Sequence, residues 1–128
     1  MRVLIVEDHS SDLQIAAKAA EAAGFSEVVA RGSAVMAKAY LDKALEREHA
    51  LPNAIVLDLD LGYDSGFELL RFWHSTPELA KIPVVVWTIL GEQYRDICRM
   101  FKVSAYVYKG DDISVLQQVL SGLCGLPA

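Results

Sequence analysis

Five short apolar runs, at residues 3–6, 28–30, 54–57, 84–87 and 105–108, recur along the chain, each followed by a longer segment of helical spacing. Four of them are continuously apolar rather than alternating. Runs rich in β-branched residues that lack a polar face suit parallel strands covered on both sides. Pro52 and Pro83 stand close before the third and fourth runs and favour strand starts over helix interiors. The β-α pattern, repeated five times, predicts an α/β fold: a doubly wound parallel sheet with helices on both faces and right-handed crossovers. A chain of 128 residues suits one domain with a sizeable core. No linker-like stretch divides it, so residues 1–128 are read as a single domain with its core over about 2–123.

The intervening segments carry helix signals. Ser11 and Gln14 form a capping-box pattern, Leu13, Ala16, Ala17 and Ala20 follow on one face, and Gly24 suits a C-terminal cap. The segment 33–48 is expected to turn Val35, Ala39 and Leu45 inward. Ser65 and Glu68 suggest a second capping box, opening a helix through Phe67, Leu70 and Trp73. Pro77 suits the first position of a short helical turn. Tyr94, Ile97, Cys98 and Phe101 share helical spacing, as do Ile113, Leu116, Leu120 and Leu123.

Hydrophobic residues make up 53% and charged residues 23%, as in globular proteins generally, and the net charge of −5 argues against nucleic acid as a direct partner. The apolar runs are far too short to cross a bilayer, and the first is too short for a signal peptide. The chain is therefore read as cytoplasmic, with no membrane partner. Cys98 and Cys124 share no metal-ligand spacing and are expected to be reduced thiols packed on helices. His49 and His74 are expected in solvent; His9 follows two acids and is a candidate for a place beside a site.

The polar residues that close the strands are the informative ones. The third run reads I-V-L-D-L-D-L-G at 55–62, so Asp58 and Asp60 follow a buried element directly. Glu7 and Asp8 follow the first run, Thr88 the fourth, and Lys109 the fifth. In an open α/β sheet the carboxyl ends of parallel strands share one edge, and ligands bind beyond it. Two carboxylates 4 Å apart at an effective dielectric of 20 repel by roughly 4 kcal/mol, so the acids need compensation. Lys109 supplies one charge; a hard divalent cation such as Mg²⁺, which prefers carboxylate oxygens and water, would supply the rest. Cation, lysine and hydroxyl together suit a phosphoryl group, with an aspartate as acceptor. Any one of these residues alone would be an ordinary strand-end polar group.

Taken together, V-L-I-V-E-D at 3–8, I-V-L-D-L-D-L at 55–61, P-V-V-V-W-T at 83–88 and A-Y-V-Y-K at 105–109 resemble the receiver domain of bacterial two-component response regulators. The stretch S-T-P-E-L-A-K-I-P at 75–83 is similar to stand-alone receivers. The resemblance implies a flavodoxin-like sheet of order 2-1-3-4-5 and no enzyme activity beyond assisting the protein's own phosphorylation and slow dephosphorylation. It implies that Asp58 accepts a phosphoryl group from a histidine kinase or histidine phosphotransfer protein. Mg²⁺ would be held by Glu7, Asp8, Asp58 and the backbone carbonyl of Asp60. Thr88 and Lys109 would contact the phosphoryl oxygens, and Thr88 and Tyr106 would form the switch. The output surface would comprise the helix over 91–101, the strand over 105–108 and the helix over 112–123. An unknown downstream protein, or a second copy in a homodimer, would dock there.

Three residues depart from the family pattern. Ile89 stands where a small residue is usual, and its bulk is expected to slow phosphoryl transfer and hydrolysis. Gly110 and Gly62 stand where proline is usual. A non-proline cis bond costs about 2.5–4 kcal/mol, so a trans Lys109–Gly110 bond is expected. These departures leave a degenerate receiver acting as a phosphorylation-independent adaptor as an alternative. A further alternative is a haloacid dehalogenase-type phosphatase, in which Asp58-Leu59-Asp60 would be its D-x-D.

Overall fold

The computed structural model describes residues 1–124. Strands β1 (Arg2–Val6), β2 (Glu27–Arg31), β3 (Ala54–Leu57), β4 (Val84–Thr88) and β5 (Ala105–Tyr108) form one parallel sheet in the order β2-β1-β3-β4-β5. The helices are α1 (Ser10–Ala23), α2 (Ala34–Leu45), α3 (Gly66–Ser75), the short α4 (Pro77–Ala80), α5 (Arg95–Met100, preceded by a 3₁₀ turn at Glu92–Tyr94) and α6 (Ile113–Cys124).

Successive strand side chains point to opposite faces, and each face has its own helical cover. Leu4, Val6, Ile55, Leu57, Val84 and Val86 pack with residues of α2, α3, α4 and α5, including Leu41, Leu70, Trp73, Leu79 and Cys98. Val3, Ile5, Val56, Val85, Trp87 and Val107 pack with Ala16, Ala20, Leu116 and Leu120 of α1 and α6. Two buried faces explain why β1, β3 and β4 read as unbroken apolar runs. The edge strand β2 is only partly buried.

Local differences from the sequence reading have physical causes. The first helix begins at Ser10 with His9 at its N-cap, so Ser11 lies inside it, and no side chain caps its start. Gly24 does close it, with φ 117° and its N–H on Ala20 and Glu21 carbonyls. In α2 the buried face is Ala34, Ala37, Tyr40, Leu41 and Ala44, while Val35 and Ala39 face outward. Leu45 packs against the core as expected; Ser33 starts this helix by accepting from Met36 N–H, and Asp64 accepts from Ala34 and Val35 N–H, so the helix start is fixed with Val35 outward. Ser65 caps α3, accepting from Phe67 N–H, and Pro77 opens α4.

Candidate functional site

The parallel register puts the carboxyl ends of β1, β3, β4 and β5 along one edge, and the chain's least exposed charged groups gather there. Glu7 and Asp58 are each 3% exposed and Thr88 is fully buried. Glu7 N–H pairs with the Arg31 carbonyl and Asp58 N–H with the Val6 carbonyl, so the sheet ladder itself fixes both acids.

Lys109 is the hub. Its Nζ donates to Glu7 Oε1 at 2.7 Å, Asp12 Oδ2 at 2.8 Å and Asp58 Oδ2 at 2.9 Å. It also lies 4.9 Å from the centre of the Trp87 ring, a cation–π contact in a site with little solvent. Burial works against the ammonium, but the hydrogen bonds to Asp12, Glu7 and Asp58 outweigh it and raise its pKa. Burial also raises the Glu7 carboxyl, against the opposing pull of Lys109.

The other Asp58 oxygen, Oδ1, accepts Asp60 N–H at 3.0 Å. Asp60 is exposed, and its own carboxylate accepts Gly62 N–H at 3.3 Å. Gly62 has φ 68°, beyond the reach of proline's ring, and a Cβ there would stand 3.0 Å from Asp8 Oδ2. At Gly66 an added Cβ would meet the Asp58 carbonyl oxygen and lie 2.8 Å from Leu59 Cα. The start of α3 thus sits directly against the loop that carries Asp58.

Thr88 Oγ1 accepts Leu90 N–H at 3.3 Å, and Tyr106 OH donates to the Leu90 carbonyl at 2.7 Å and to that of Gly91 at 3.1 Å. Leu90 therefore links threonine and tyrosine. Arg95 stacks over the Tyr106 ring at 5.1 Å. Ile89 is 62% exposed and lines, with Tyr106, Tyr108 and Asp111, a cleft of about 340 Å³. The Lys109–Gly110 bond is trans, as are all peptide bonds among the described residues.

The donor set suits a divalent cation. One carboxylate oxygen from each of Glu7, Asp8 and Asp58 lies within 4.8 Å of the others, and hard oxygen donors are what Mg²⁺ and related ions take. Sequence reasoning found Glu7, Asp8, Asp58 and Lys109 and missed Asp12 and Trp87. Asp12 had a signal: an acid in the first turn after β1, on the edge already implicated. Trp87 read only as core.

No protein-family model matches the chain. The cyanobacterial phytochrome response regulator RcpA, in its phosphorylated form, is 30% identical, with a TM-score of 0.78 over 95% of this chain and 89% of that one. The response regulator Rcp1 of Synechocystis sp. is 28% identical over 125 residues, covering 94% of this chain and 84% of the relative. The structure of its Mn²⁺-bound form superimposes with a TM-score of 0.81 at 26% identity, over 99% of each chain. The flavodoxin-like sheet order and the acidic strand ends match those of a receiver, a signalling module. This chain belongs to the response regulator receiver family of two-component signal transduction. Its D-x-D follows β3, not the first core strand that a haloacid dehalogenase-type phosphatase would require.

Proposed function

We propose that the chain is a single receiver domain acting as a phosphorylation-dependent switch, with Asp58 accepting a phosphoryl group from the phosphohistidine of a kinase or phosphotransfer protein. The observation that carries this reading is the triple contact of Lys109 with Glu7, Asp12 and Asp58. It binds residues from two strand ends and α1 into one anionic pocket around a single cation.

In the transfer, an Asp58 carboxylate oxygen bonds to phosphorus as the donor's N–P bond breaks, and that bond's electron pair stays on the donor imidazole. Mg²⁺, when bound, supplies charge neutralisation between the acids and the phosphoryl oxygens; Glu7, Asp8, Asp58 and the Asp60 carbonyl would hold it. Lys109 turns from its carboxylates to a phosphoryl oxygen, and Asp60 N–H keeps Asp58 oriented. Thr88 donates its hydroxyl to another phosphoryl oxygen. Moving there loosens its bond with Leu90 N–H, and Leu90 in turn carries the acceptor of Tyr106 OH.

Tyr106 then shifts inward, and the added charge of about −1.5 to −2 is read on the face made by α5, β5 and α6. A downstream protein or a second copy of the chain would dock on that face. No helix among the described residues is long and apolar enough to cross a membrane. The switch is read as a cytoplasmic one with protein partners, and the net charge of −5 argues against direct nucleic acid contact. Slow self-dephosphorylation resets the switch.

The test is incubation with acetyl phosphate and Mg²⁺, read by intact mass, with beryllofluoride as a mimic read by Trp87 fluorescence. One phosphoryl group per chain, absent in Asp58→Asn, is expected. A partner that binds Asp58→Ala as well as the unaltered chain would point to the adaptor reading.

A further inference from the structure

His9 holds the N-cap of α1 but does not cap it: its side chain accepts no helix N–H. Serine, threonine, aspartate or asparagine would normally do so. The imidazole is turned toward the acids instead. Its Nδ1 lies 3.2 Å from Asp8 Oδ1 and 3.5 Å from Glu7 Oε2, and its backbone N–H donates to the same Glu7 oxygen at 3.2 Å. A ring nitrogen of His9 and one oxygen each from Glu7 and Asp12 fall within 4.8 Å of one another. The pocket thus contains two overlapping donor sets with Glu7 in common: an all-oxygen set with Asp8 and Asp58, and a mixed nitrogen–oxygen set with His9 and Asp12.

Donor type separates divalent ions. Mg²⁺ is hard, prefers oxygen and retains water, whereas Co²⁺, Ni²⁺ and Zn²⁺ bind imidazole readily and outrank it at nitrogen-bearing sites. We propose that His9 is a selectivity residue of the cation pocket, giving it a mixed set with Glu7 and Asp12 that takes borderline transition ions in competition with Mg²⁺. An ion held there would draw on the carboxylates that Lys109 uses at Glu7 and Asp12, and with Glu7 in common the two sets would compete for one carboxylate. This inference rests on the reading of Glu7, Asp8 and Asp58 as a cation pocket.

The experiment is calorimetric titration of the chain with Co²⁺ and with Mg²⁺ at pH 8, alone and in competition. Proton NMR of the Co²⁺-loaded chain is run alongside. Variants are His9→Gln and, as a control for a histidine away from the acidic pocket, His49→Gln. In the unaltered chain Co²⁺ is expected to bind more tightly than Mg²⁺, to be displaced by excess Mg²⁺, and to give a paramagnetically shifted imidazole N–H signal. His9→Gln is expected to erase that signal and weaken Co²⁺ by ~10-fold or more, as loss of a ligand or its direct support does, while changing Mg²⁺ affinity less than about twofold. His49→Gln is expected to change neither. Unaltered Co²⁺ affinity in His9→Gln, or equal losses for both ions, would overturn the role of His9 while leaving the cation pocket standing. Failure of the unaltered chain to bind Mg²⁺ at all would overturn the pocket reading itself, and this inference with it.

Discussion

Lys109 Nζ lies 2.7 Å from Glu7 Oε1 and 2.9 Å from Asp58 Oδ2, joining the end of β5 to those of β1 and β3 across 102 and 51 residues of sequence. Both carboxylate side chains are at most 3% exposed. Removing the ammonium leaves them facing each other without a counter-charge, a situation that typically costs about 3–5 kcal/mol in a buried pair. Lys109→Ala is therefore expected to lower stability by about 3 kcal/mol in urea unfolding without divalent ions. Millimolar Mg²⁺, binding only the folded state, is expected to recover more of the variant's stability than it adds to the unaltered chain. Equal gains in both would show that the lysine and the cation do not address the same charges.

Asp12 competes for the same ammonium, at 2.8 Å, from outside the all-oxygen cation set. Asp12→Asn relaxes its grip and removes one negative charge from the approach of an anionic donor. Uptake of phosphoryl from acetyl phosphate is expected to quicken several-fold, with Mg²⁺ affinity little changed. A slower uptake would mean that Asp12 positions Lys109 rather than detains it.

Much of this site was legible in the chain because strand-end chemistry repeats at fixed places in a parallel sheet. Glu7, Asp8, Asp58, Thr88 and Lys109 each follow an apolar run, and one shared edge is a topological consequence of five β-α units. What escaped depends on rotation about helix axes and on ring stacking, which spacing does not encode. Asp12 reaches Lys109 from the first turn of α1, whose N-cap is His9, two residues before the serine that looked like its cap. The inward face of α2 was displaced for a similar reason: Asp64, 30 residues from Ala34, fixes the helix start. Trp87 gave no sign that its ring would lie beneath an ammonium.

Ile89 stands exposed one residue beyond Thr88 and lines the cleft with Tyr106 and Tyr108. Because it stands next to Thr88 in sequence, its four-carbon side chain is expected to slow both an incoming phosphoryl donor and an attacking water. Ile89→Ala is expected to speed phosphorylation by acetyl phosphate and loss of the phosphoryl group, each several-fold, with little effect on unfolding. Rates that match the unaltered chain in both directions would remove Ile89 from any gating role.

The close seat of α3 on the Asp58 loop gives a paired stability test. Gly66→Ala forces a methyl against the Asp58 carbonyl and Leu59 backbone, whereas at Gly122 in α6 an added Cβ has nothing within 4 Å. Overpacking against backbone costs about 1–3 kcal/mol, while glycine to alanine at an exposed helix position gains about 0.5–1 kcal/mol. Gly66→Ala should destabilise and Gly122→Ala should stabilise, both measured by urea unfolding. Phosphoryl uptake should fall only in the first, because the displaced backbone carries Asp58, the proposed acceptor.

Cys98, fully buried in the core on the face of the sheet that α2, α3, α4 and α5 cover, offers a test at alkaline pH. Burial pushes its thiol up to about 11 from an ordinary value of 9.0, so between those values the folded chain binds a proton that the unfolded chain has released. Stability that depends on this proton is fully present below about pH 9 and is lost as pH rises through about 11. Two units correspond to about 2–3 kcal/mol at most. Tyr106, also raised by burial, adds loss of the same sign. Unfolding free energy is therefore expected to fall from pH 9 to 11, and Cys98→Ala should flatten that decline while lowering stability modestly at neutral pH through the lost sulfur contacts. Thiol labelling at pH 8 gives a second readout: Cys124, which is partly exposed, should react in the folded chain, and Cys98 only after unfolding. A decline of unchanged slope in Cys98→Ala, or rapid labelling of both thiols, would show that α5 opens far more readily than the full burial of Cys98 implies.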